Sequence, residues 1–290
     1  MKFHIKLPVS FPPTTVKDLL ENHWLVPRKI RHFLRTKKHL LVNGQSIHWQ
    51  GQVQAGDNIS LIFDEEDYPK KSLPMGQAQL VDCLYQDQHL IIVNKPEGMK
   101  THANQPNEIA LLNHVSAYVG DTCYVVHRLD KETSGLVLFA KNPFVLPILN
   151  RLLEDKKISR QYWALAQGWL PKESITYRDK ISRDRHDRRK RLITAKGQSA
   201  ITHVKSLKEY CGPKGPYSLV NCQLETGRTH QIRVHLAHHG HAIIGDPLYS
   251  KVPAERLMLH AHELSFLHPF SREKITIKAQ SPSFEKGLPK

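Results

Sequence analysis

Apolar runs and regular apolar spacings divide most of the chain into short strands and helices. Residues 90–93 are continuously apolar, as in a buried strand, whereas 162–169 and 201–207 alternate as half-buried strands do, and 217–224 predict a further strand. Apolar positions over 142–156 recur with helical spacing behind an Asn-Pro pair that can cap and start a helix. Because strands and helices are mixed without an internal repeat, the pattern predicts an α+β fold.

The first 63 residues carry a different pattern of short helices and strands. A helix is predicted behind the threonine pair at 14–15, and a second begins near Pro27, a favoured first-turn residue. The Asn-Gly pair at 43–44 predicts a tight turn after a short apolar strand, and a last strand follows over 59–63. These residues therefore predict a small α/β domain of their own.

The second helix of this domain combines an apolar stripe with many basic residues. Ile30, Phe33 and Leu34 recur at helical spacing. The charged positions form either a generic solvated face or a face that binds a polyanion. They are Arg28, Lys29, Arg31, Arg35, Lys37 and Lys38.

An acidic and proline-containing segment follows this domain. Residues 64–67 read Asp-Glu-Glu-Asp, and residues 68–74 read Tyr-Pro-Lys-Lys-Ser-Leu-Pro. A reversal of charge together with prolines is typical of a linker. The sequence thus predicts a domain over 1–63, a linker over 64–76 and a second domain over 77–290.

Charge and cysteine content narrow the class of protein. The 290 residues include 42 Lys and Arg against 27 Asp and Glu, a formal charge of +15, which favours a polyanionic partner, nucleic acid before an anionic membrane. No apolar run reaches the ~20 residues of a membrane span, and the first residues lack the apolar core of a signal peptide. The four scattered cysteines predict reduced thiols in a cytoplasmic protein, with one disulfide still open.

The candidate chemistry lies in the nine residues HRLDKETSG at 127–135. Asp130 stands between Arg128 and Lys131, and apolar strand-like runs lie on both sides of the motif. A positive field at a strand-to-turn junction would favour the ionised carboxylate and lower its pKa, so that it could act as a nucleophile. For an isolated motif, a weak surface ion pair is the alternative.

This motif resembles the active-site motif of the RluA/RluD-type RNA pseudouridine synthases. Stretches similar to three other family segments follow the family order, at 94–102, 159–165 and 226–235, and residues 244–249 and 259–262 also fit. The likeness covers about residues 77 to 270, and the first 63 residues partly resemble the RNA-binding module named after ribosomal protein S-four. The resemblance implies a mainly antiparallel mixed sheet crossed by a cleft, and an isomerase that needs no cofactor or metal.

The resemblance also implies roles for individual residues. Asp130 would be the nucleophile, which could attack uracil carbon 6 or ribose carbon 1′ or assist proton removal from ribose carbon 2′. Arg233 would hold it through a buried bidentate pair, unless it is an ordinary exposed helix arginine. Tyr162 would stack on the flipped uracil and could accept a proton, although a core aromatic is the alternative. Arg128 would fill the vacated base stack, and Ile232 would form an apolar wall.

Further family-like positions have less definite roles. Residues 178–196 predict a basic loop or hairpin that grips the RNA backbone, or a solvated loop that orders on binding. Thr229 is predicted to cap a helix that ends at Gly240. The residues expected to serve as scaffold or RNA contacts are Lys95, His102, His127, Arg188, Arg189 and Arg228.

The predicted function is therefore isomerisation of uridines in RNA, ribosomal RNA before transfer RNA, by a cytoplasmic monomer without an obligate protein partner. One alternative is a non-catalytic RNA-binding or ribosome-assembly protein with a decayed synthase domain. The other is a histidine-based metallohydrolase, because histidines crowd residues 230–241, but no HExxH-like frame is present. No metal ligand is predicted.

Overall fold

A computed structural model describes residues 1–68, 73–105, 107–212 and 215–289 of the chain. Residues 69–72, which belong to the predicted linker, lie outside the described residues. Among those described, no helix has the length and apolar character that a membrane crossing requires. All four cysteines are free thiols.

The N-terminal residues form a four-stranded antiparallel sheet with two helical segments. Thr15 caps the first segment as predicted, because its Oγ1 accepts a hydrogen bond from the Asp18 N–H at 3.1 Å. Asn43 and Gly44 both have positive φ and make the predicted tight turn. The elements are β1 (Lys2–Lys6), β2 (Thr14–Thr15), α1 (Val16–Asp18), which continues as a π-helical turn (Leu19–His23), α2 (Arg28–Thr36), β3 (Leu40–Val42), β4 (Gln45–Ser46), β5 (Gln52–Val53) and β6 (Asn58–Ile62). The strand order in the sheet is β1-β6-β3-β4, and β2 and β5 pair separately.

One large mixed sheet dominates the rest of the chain. Its strands are β7 (Cys83–Gln86), β8 (Leu90–Lys95), β9 (Tyr124–Val125), β10 (Ser134–Ala140), β11 (Ser159–Gln167), β12 (Ile175–Arg183), β13 (Arg191–Ile193), β14 (Gln198–Gly212), β15 (Gly215–Leu224), β16 (Leu259–Leu267) and β17 (Lys274–Lys278). The strand order is β13-β12-β14-β15-β11-β16-β10-β8-β7, with β17 on β16 and β9 on β10. Among the described strands, β10 and β16 form the one parallel pair, so the predicted mainly antiparallel α+β fold is confirmed. The helices are α3 (Leu111–Val119), α4 (Val145–Glu154), α5 (Gln231–His238), α6 (Pro282–Lys286) and a 3₁₀ turn at Ala78–Leu80.

An aromatic cluster joins the N-terminal sheet to the large sheet. Phe144, which precedes α4, lies 5.3 Å from Phe3 and 5.2 Å from Phe63 between ring centroids. Trp24 meets Phe270 edge-on at 5.2 Å. These five rings belong to one continuous buried apolar core. The two parts of the chain therefore share a core, although an acidic segment connects them in sequence.

The start of α5 differs from the prediction. Thr229 does not cap this helix; the capping position is His230, which has a φ of 57° and makes no side-chain capping bond. The Gln231 side chain instead accepts a hydrogen bond from the Arg228 N–H at 3.0 Å, so the first helical residue itself stabilises the loop before it. The helix stops at the predicted place, where Gly240 has a φ of 86°.

Candidate active site

A cavity of about 550 Å³ is lined by the loop 126–133, residues 153–156 at the end of α4, strand β11, and the loop 224–230 with the start of α5. Its size suits a small group such as a nucleoside. It brings together seven of the residues singled out in the sequence. They are His127, Arg128, Asp130, Tyr162, Arg228, Ile232 and Arg233.

The loop that carries Asp130 is fixed from behind by two side chains. Thr101 Oγ1 donates to the Leu129 carbonyl at 3.0 Å and accepts from the Leu129 N–H at 3.1 Å. The fully buried Lys95 donates to three carbonyls, including that of Lys131 at 3.2 Å. Burial lowers the pKa of Lys95 to about 8, against the pull of nearby carboxylates. Lys95 is therefore scaffold, since its three donors are occupied by backbone.

Gly135, at the end of the same motif, allows β10 to run close to β16. Its φ is +113°, and an added Cβ would lie 2.3 Å from the Ala261 carbonyl oxygen. Ser134 and Gly135 pair in parallel with His260 and Ala261. A side chain at Gly135 would push these strands apart and shift the Asp130 loop.

Arg233 reaches Asp130 but is held mainly by another carboxylate. Its Nη1 donates to Asp130 Oδ2 at 3.1 Å. Its Nε and Nη2 donate to the two oxygens of Asp246 at 2.7 and 2.8 Å, and both side chains are buried. The predicted bidentate pair with Asp130 is therefore wrong, because the guanidinium fork faces Asp246. Burial alone would lower the pKa of Arg233, but hydrogen bonds and charge from Asp246, with the charge of Asp130, raise it above its ordinary value.

His230 is a member of the site that the sequence interpretation missed. Its Nε2 lies 3.7 Å from Asp130 Oδ2, and its Nδ1 lies 3.0 Å from the Tyr249 hydroxyl. That hydroxyl accepts the Arg191 N–H at 2.7 Å, so its own proton points to His230 Nδ1. Burial lowers the pKa of His230, which leaves a neutral ring with its proton on Nε2, facing Asp130. Its position inside the family-like segment 226–235 was the available signal.

Tyr162 and Ile232 supply the apolar part of the cavity wall. Each is 5% exposed, and both belong to the same buried cluster. Burial raises the pKa of the Tyr162 phenol above its ordinary value, so the hydroxyl keeps its proton near neutral pH. Trp163 points to the other face of β11, as predicted for a regular strand, and stacks on His262 with centroids 3.6 Å apart.

His127 and Arg128, the two residues before Leu129, differ in solvent exposure. Arg128 is exposed at the cavity and shares that side of the loop with Asp130. His127 is buried, and its Nε2 accepts the Leu138 N–H at 3.2 Å. His102 does not line the cavity; it is half-buried, and burial with the charge of Arg128 lowers its pKa.

Comparison with known proteins decides the family. Residues 89–238 match the model of the RNA pseudouridylate synthase family, and residues 3–59 match the model of the RluD ribosomal pseudouridine synthase N-terminal domain. The chain belongs to the RNA pseudouridine synthase family. It is an isomerase of RNA uridines, of the RluA/RluD type that its motifs predicted.

Individual relatives agree with this assignment. The synthase is 38% identical over 260 residues to the uncharacterized RNA pseudouridine synthase YhcT of Bacillus subtilis, covering 87% of this chain and 84% of the relative. It is 38% identical over 267 residues to ribosomal large subunit pseudouridine synthase D of Neisseria meningitidis, covering 84% and 69%. The solved structure of human RNA pseudouridylate synthase domain containing 1 matches with a TM-score of 0.60 and 25% identity, over 73% of this chain and 89% of that one.

The other predicted RNA contacts of the synthase lie outside the cavity. Arg188 and Arg189 are exposed in the β12–β13 hairpin, which occupies the predicted basic segment 178–196, and Arg189 pairs with Asp187 at 2.9 Å. Arg28, Lys29 and Arg35 are exposed on α2. Arg31, on the same helix, is half-buried and pairs with Glu21 at 2.5 Å, so it is less available to RNA than its neighbours.

The histidines of the synthase do not assemble a metal-ligand group near the cavity. Within the described ranges, the only group of His, Cys, Asp and Glu with ligand-like spacing is His39, Asp64 and Asp67, beside α2. Lys37 Nζ occupies that group, at 2.8 Å from Asp64 and 2.9 Å from Asp67. The crowded histidines of 230–241 have separate partners: His230 faces Tyr249, His239 meets Asp179 and His241 meets the Gln167 carbonyl.

Proposed function

We propose that this RNA pseudouridine synthase modifies ribosomal RNA of the large subunit, with Asp130 as its catalytic carboxylate. The observation that carries the catalytic proposal is the contact between Asp130 and Arg233 at the wall of a nucleoside-sized cavity. The ribosomal substrate is supported by the relative from Neisseria meningitidis and by the match of residues 3–59 to an RluD N-terminal domain. Transfer RNA is the alternative substrate.

Isomerisation requires one bond to break and another to form at the same ribose carbon. The bond from ribose carbon 1′ to uracil nitrogen 1 breaks, the base turns, and carbon 5 bonds to carbon 1′ while its proton leaves and nitrogen 1 gains one. A carboxylate beside the ribose and base can act by attack on uracil carbon 6 or ribose carbon 1′, or by assisting proton removal from carbon 2′. Arg233 and His230 orient Asp130 for each of these routes.

The cavity walls would retain the detached base while it turns. Tyr162 offers a ring face for stacking and a protonated hydroxyl that can donate a hydrogen bond to a uracil carbonyl. Ile232 adds an apolar side chain to the same cavity wall. Arg128, exposed at the mouth beside Asp130, is placed to fill the stack that the uridine leaves. Flipping costs a few kcal/mol, which this guanidinium contact would offset in part.

We further propose that residues 1–63 form an RNA-binding domain, 64–76 a linker and 77–290 the catalytic domain. The exposed Arg28, Lys29 and Arg35 on α2 would contact RNA phosphates, as would Arg188 and Arg189 of the β12–β13 hairpin and Arg228 at the cavity. The shared aromatic core supports a fixed placement of the first domain on the second. We propose that the enzyme works as a monomer in the cytoplasm, without a cofactor, metal or obligate protein partner.

Mapping of pseudouridine in defined RNAs tests the substrate proposal. Purified enzyme would be incubated with unmodified transcripts of the large-subunit ribosomal RNA and, separately, of the transfer RNAs. Carbodiimide labelling and primer extension would then locate new pseudouridines. We expect modification at fixed positions of the ribosomal transcript. Modification of transfer RNA alone would overturn the ribosomal assignment, and no pseudouridine in either pool would overturn the activity.

A further inference from the structure

A second arginine in the cavity wall has no anionic partner. Arg160 lies on β11, two residues before Tyr162, and is 6% exposed. Among the described residues, no carboxylate lies within ion-pair distance of its guanidinium, although Asp130, Glu154 and Glu225 line the same cavity. A buried charge without a counter-ion is costly, so its presence here requires an explanation.

The hydrogen bonds of Arg160 leave most of its donors unused. Its one hydrogen bond within the described part of the chain is a long contact from Nη2 to the Thr226 carbonyl, at 3.4 Å. Its Nε is buried without a partner. A guanidinium carries five N–H donors in a planar fork, a geometry that matches two oxygens of a phosphate.

Gly227, in the loop before α5, lies directly against the Arg160 guanidinium. A Cβ at that position would lie 3.0 Å from Arg160 Nη1. A side chain there would press on the guanidinium and displace it by a few tenths of an ångström. Gly227 therefore leaves space that Arg160 fills.

His127 adds a second donor without an acceptor to the same region. Its Nε2 accepts the Leu138 N–H, so the neutral ring carries its proton on Nδ1, which is buried without a partner. Burial, with the charge of Arg160, lowers the pKa of His127 to about 3, which keeps the ring neutral. The charge of Arg160 also acts on Tyr162. Arg160 and His127 thus each keep a buried donor that has no acceptor among the described residues.

We propose that Arg160 forms a phosphate subsite, which binds a backbone phosphate of the uridine nucleotide that enters the cavity. The proposal rests on the function proposed above, in which the cavity admits a flipped nucleotide. A phosphate supplies the missing negative charge and two oxygens for the guanidinium fork, whereas a uracil carbonyl supplies one neutral acceptor. Arg160 would therefore anchor the ribose-phosphate while Asp130 acts on the ribose or base.

Comparison of two small ligands tests the subsite directly. Dissociation constants for uridine and for uridine 3′,5′-bisphosphate would be measured by calorimetric titration with the wild type, Arg160→Gln and Arg160→Lys. Arg151→Gln is the matched control, because Arg151 is 58% exposed on α4 and pairs with Asp155 away from the cavity. Melting temperatures would establish that each variant is folded.

If Arg160 forms a phosphate subsite, the wild type and the variants should differ in how strongly they prefer the bisphosphate over uridine. We expect the wild type and Arg151→Gln to bind the bisphosphate at least about tenfold more tightly than uridine, as a charge-assisted bidentate contact implies. Arg160→Gln should lose this preference and keep its uridine affinity within about twofold, with Arg160→Lys in between. A preference that survives in Arg160→Gln, or is missing in the wild type, overturns the proposal. If Arg160→Gln weakened the binding of uridine and of the bisphosphate equally, Arg160 would contact the nucleoside rather than a phosphate, and the proposal would also be overturned.

Two further variants separate this result from the proposed function. Asp130→Asn should keep the bisphosphate preference while it loses isomerisation of RNA, so a failure of the catalytic proposal leaves the subsite measurement intact. Gly227→Ala, which displaces the guanidinium without removing it, should reduce the preference by a smaller factor than Arg160→Gln. An unchanged preference in Gly227→Ala would contradict the role given to the loop.

Discussion

Asp246 holds Arg233 by two hydrogen bonds, and this contact determines where the third arm of the guanidinium points. The two bonds measure 2.7 and 2.8 Å between side chains that are 0% and 1% exposed. Asp246 Oδ1 also accepts the N–H groups of Leu248 and Tyr249, which fixes the carboxylate in turn. Arg233 is thereby left with Nη1 free to meet Asp130, and a buried carboxylate remote from the substrate sets the geometry of the candidate nucleophile.

Replacing Asp246 by asparagine should impair both stability and catalysis. Asp246→Asn removes the charge that balances the buried guanidinium, and disruption of a buried ion pair costs about 3 kcal/mol. The less constrained Arg233 should misplace Asp130, so we expect kcat to fall about a hundredfold with little change in the affinity for RNA. Asp187→Asn, which breaks the exposed pair with Arg189, is the control and should cost less than about 1 kcal/mol. Equal kcat for Asp246→Asn and wild type would contradict this account.

Buried histidines should make the protein sensitive to mild acid. Burial lowers the pKa of His89, His235 and His260 to about 4 and that of His127 to about 3. In the unfolded chain these rings have pKa values near 6.5, so between about pH 6.5 and 4 the unfolded state binds more protons. The free energy of unfolding should therefore decrease as the pH falls through this window, by several kcal/mol in total.

Chemical denaturation at a series of pH values measures this dependence. His89→Phe is a useful variant, because His89 packs on Phe270 with centroids 4.5 Å apart and its Nδ1 has no partner. This variant should show a shallower decline than the wild type. A free energy of unfolding that stays constant from pH 7 to pH 5 would exclude the proposed linkage.

The shared aromatic core should make the two parts of the chain unfold together. Phe144 is fully buried and contacts Phe3, Phe63 and Phe270. Phe144→Ala should destabilise the protein by about 3–5 kcal/mol. The variant should still melt in a single transition, at a lower temperature than the wild type. Trp169→Ala, at a side chain that is 59% exposed, should change stability by less than about 0.5 kcal/mol. Two separate transitions, of which Phe144→Ala shifts only one, would show that the domains unfold independently.

The basic face of α2 should contribute to RNA affinity through its exposed members. In a salt titration of binding to the ribosomal transcript, each lost phosphate contact reduces the slope of log K against log salt by about 0.7 to 0.9. The triple variant with Arg28, Lys29 and Arg35 changed to glutamine should therefore lower the slope by about 2. Arg31→Gln should have a weaker effect on the slope, because Arg31 already pairs with Glu21. If the triple variant kept the wild-type salt slope, the RNA phosphates would not contact these three side chains, and the prediction would be wrong.

The sequence predicted the parts of the site that depend on local patterns. The α+β class, the Asn43-Gly44 turn, the cap at Thr15 and the opposite directions of Tyr162 and Trp163 follow from spacing within a few residues. The chain segments that form the cavity were found through their likeness to family motifs. Motif order cannot give distances, however, so the contact between Arg233 and Asp130 was expected with the wrong geometry.

The remaining features depend on contacts between distant residues. Asp246 lies in the family-like residues 244–249, but its bidentate contact with Arg233 forms only because the chain after α5 returns to that helix. The wrong cap at Thr229 has a similar cause, since Gln231 bonds backward to the loop and His230 takes a left-handed conformation toward Asp130 and Tyr249. Periodicity along one element carries no information about such contacts.

Tritium release from RNA labelled at uridine carbon 5 tests the central claim, that Asp130 carries out catalysis. Asp130→Asn preserves size and removes the charge, and Glu132→Gln is the matched control, because Glu132 is a 43% exposed carboxylate two residues away, 3.9 Å from Arg233. We expect the wild type and Glu132→Gln to release tritium at similar rates and Asp130→Asn to release none above background, although it still binds the RNA. Equal release by wild type and Asp130→Asn would contradict the account.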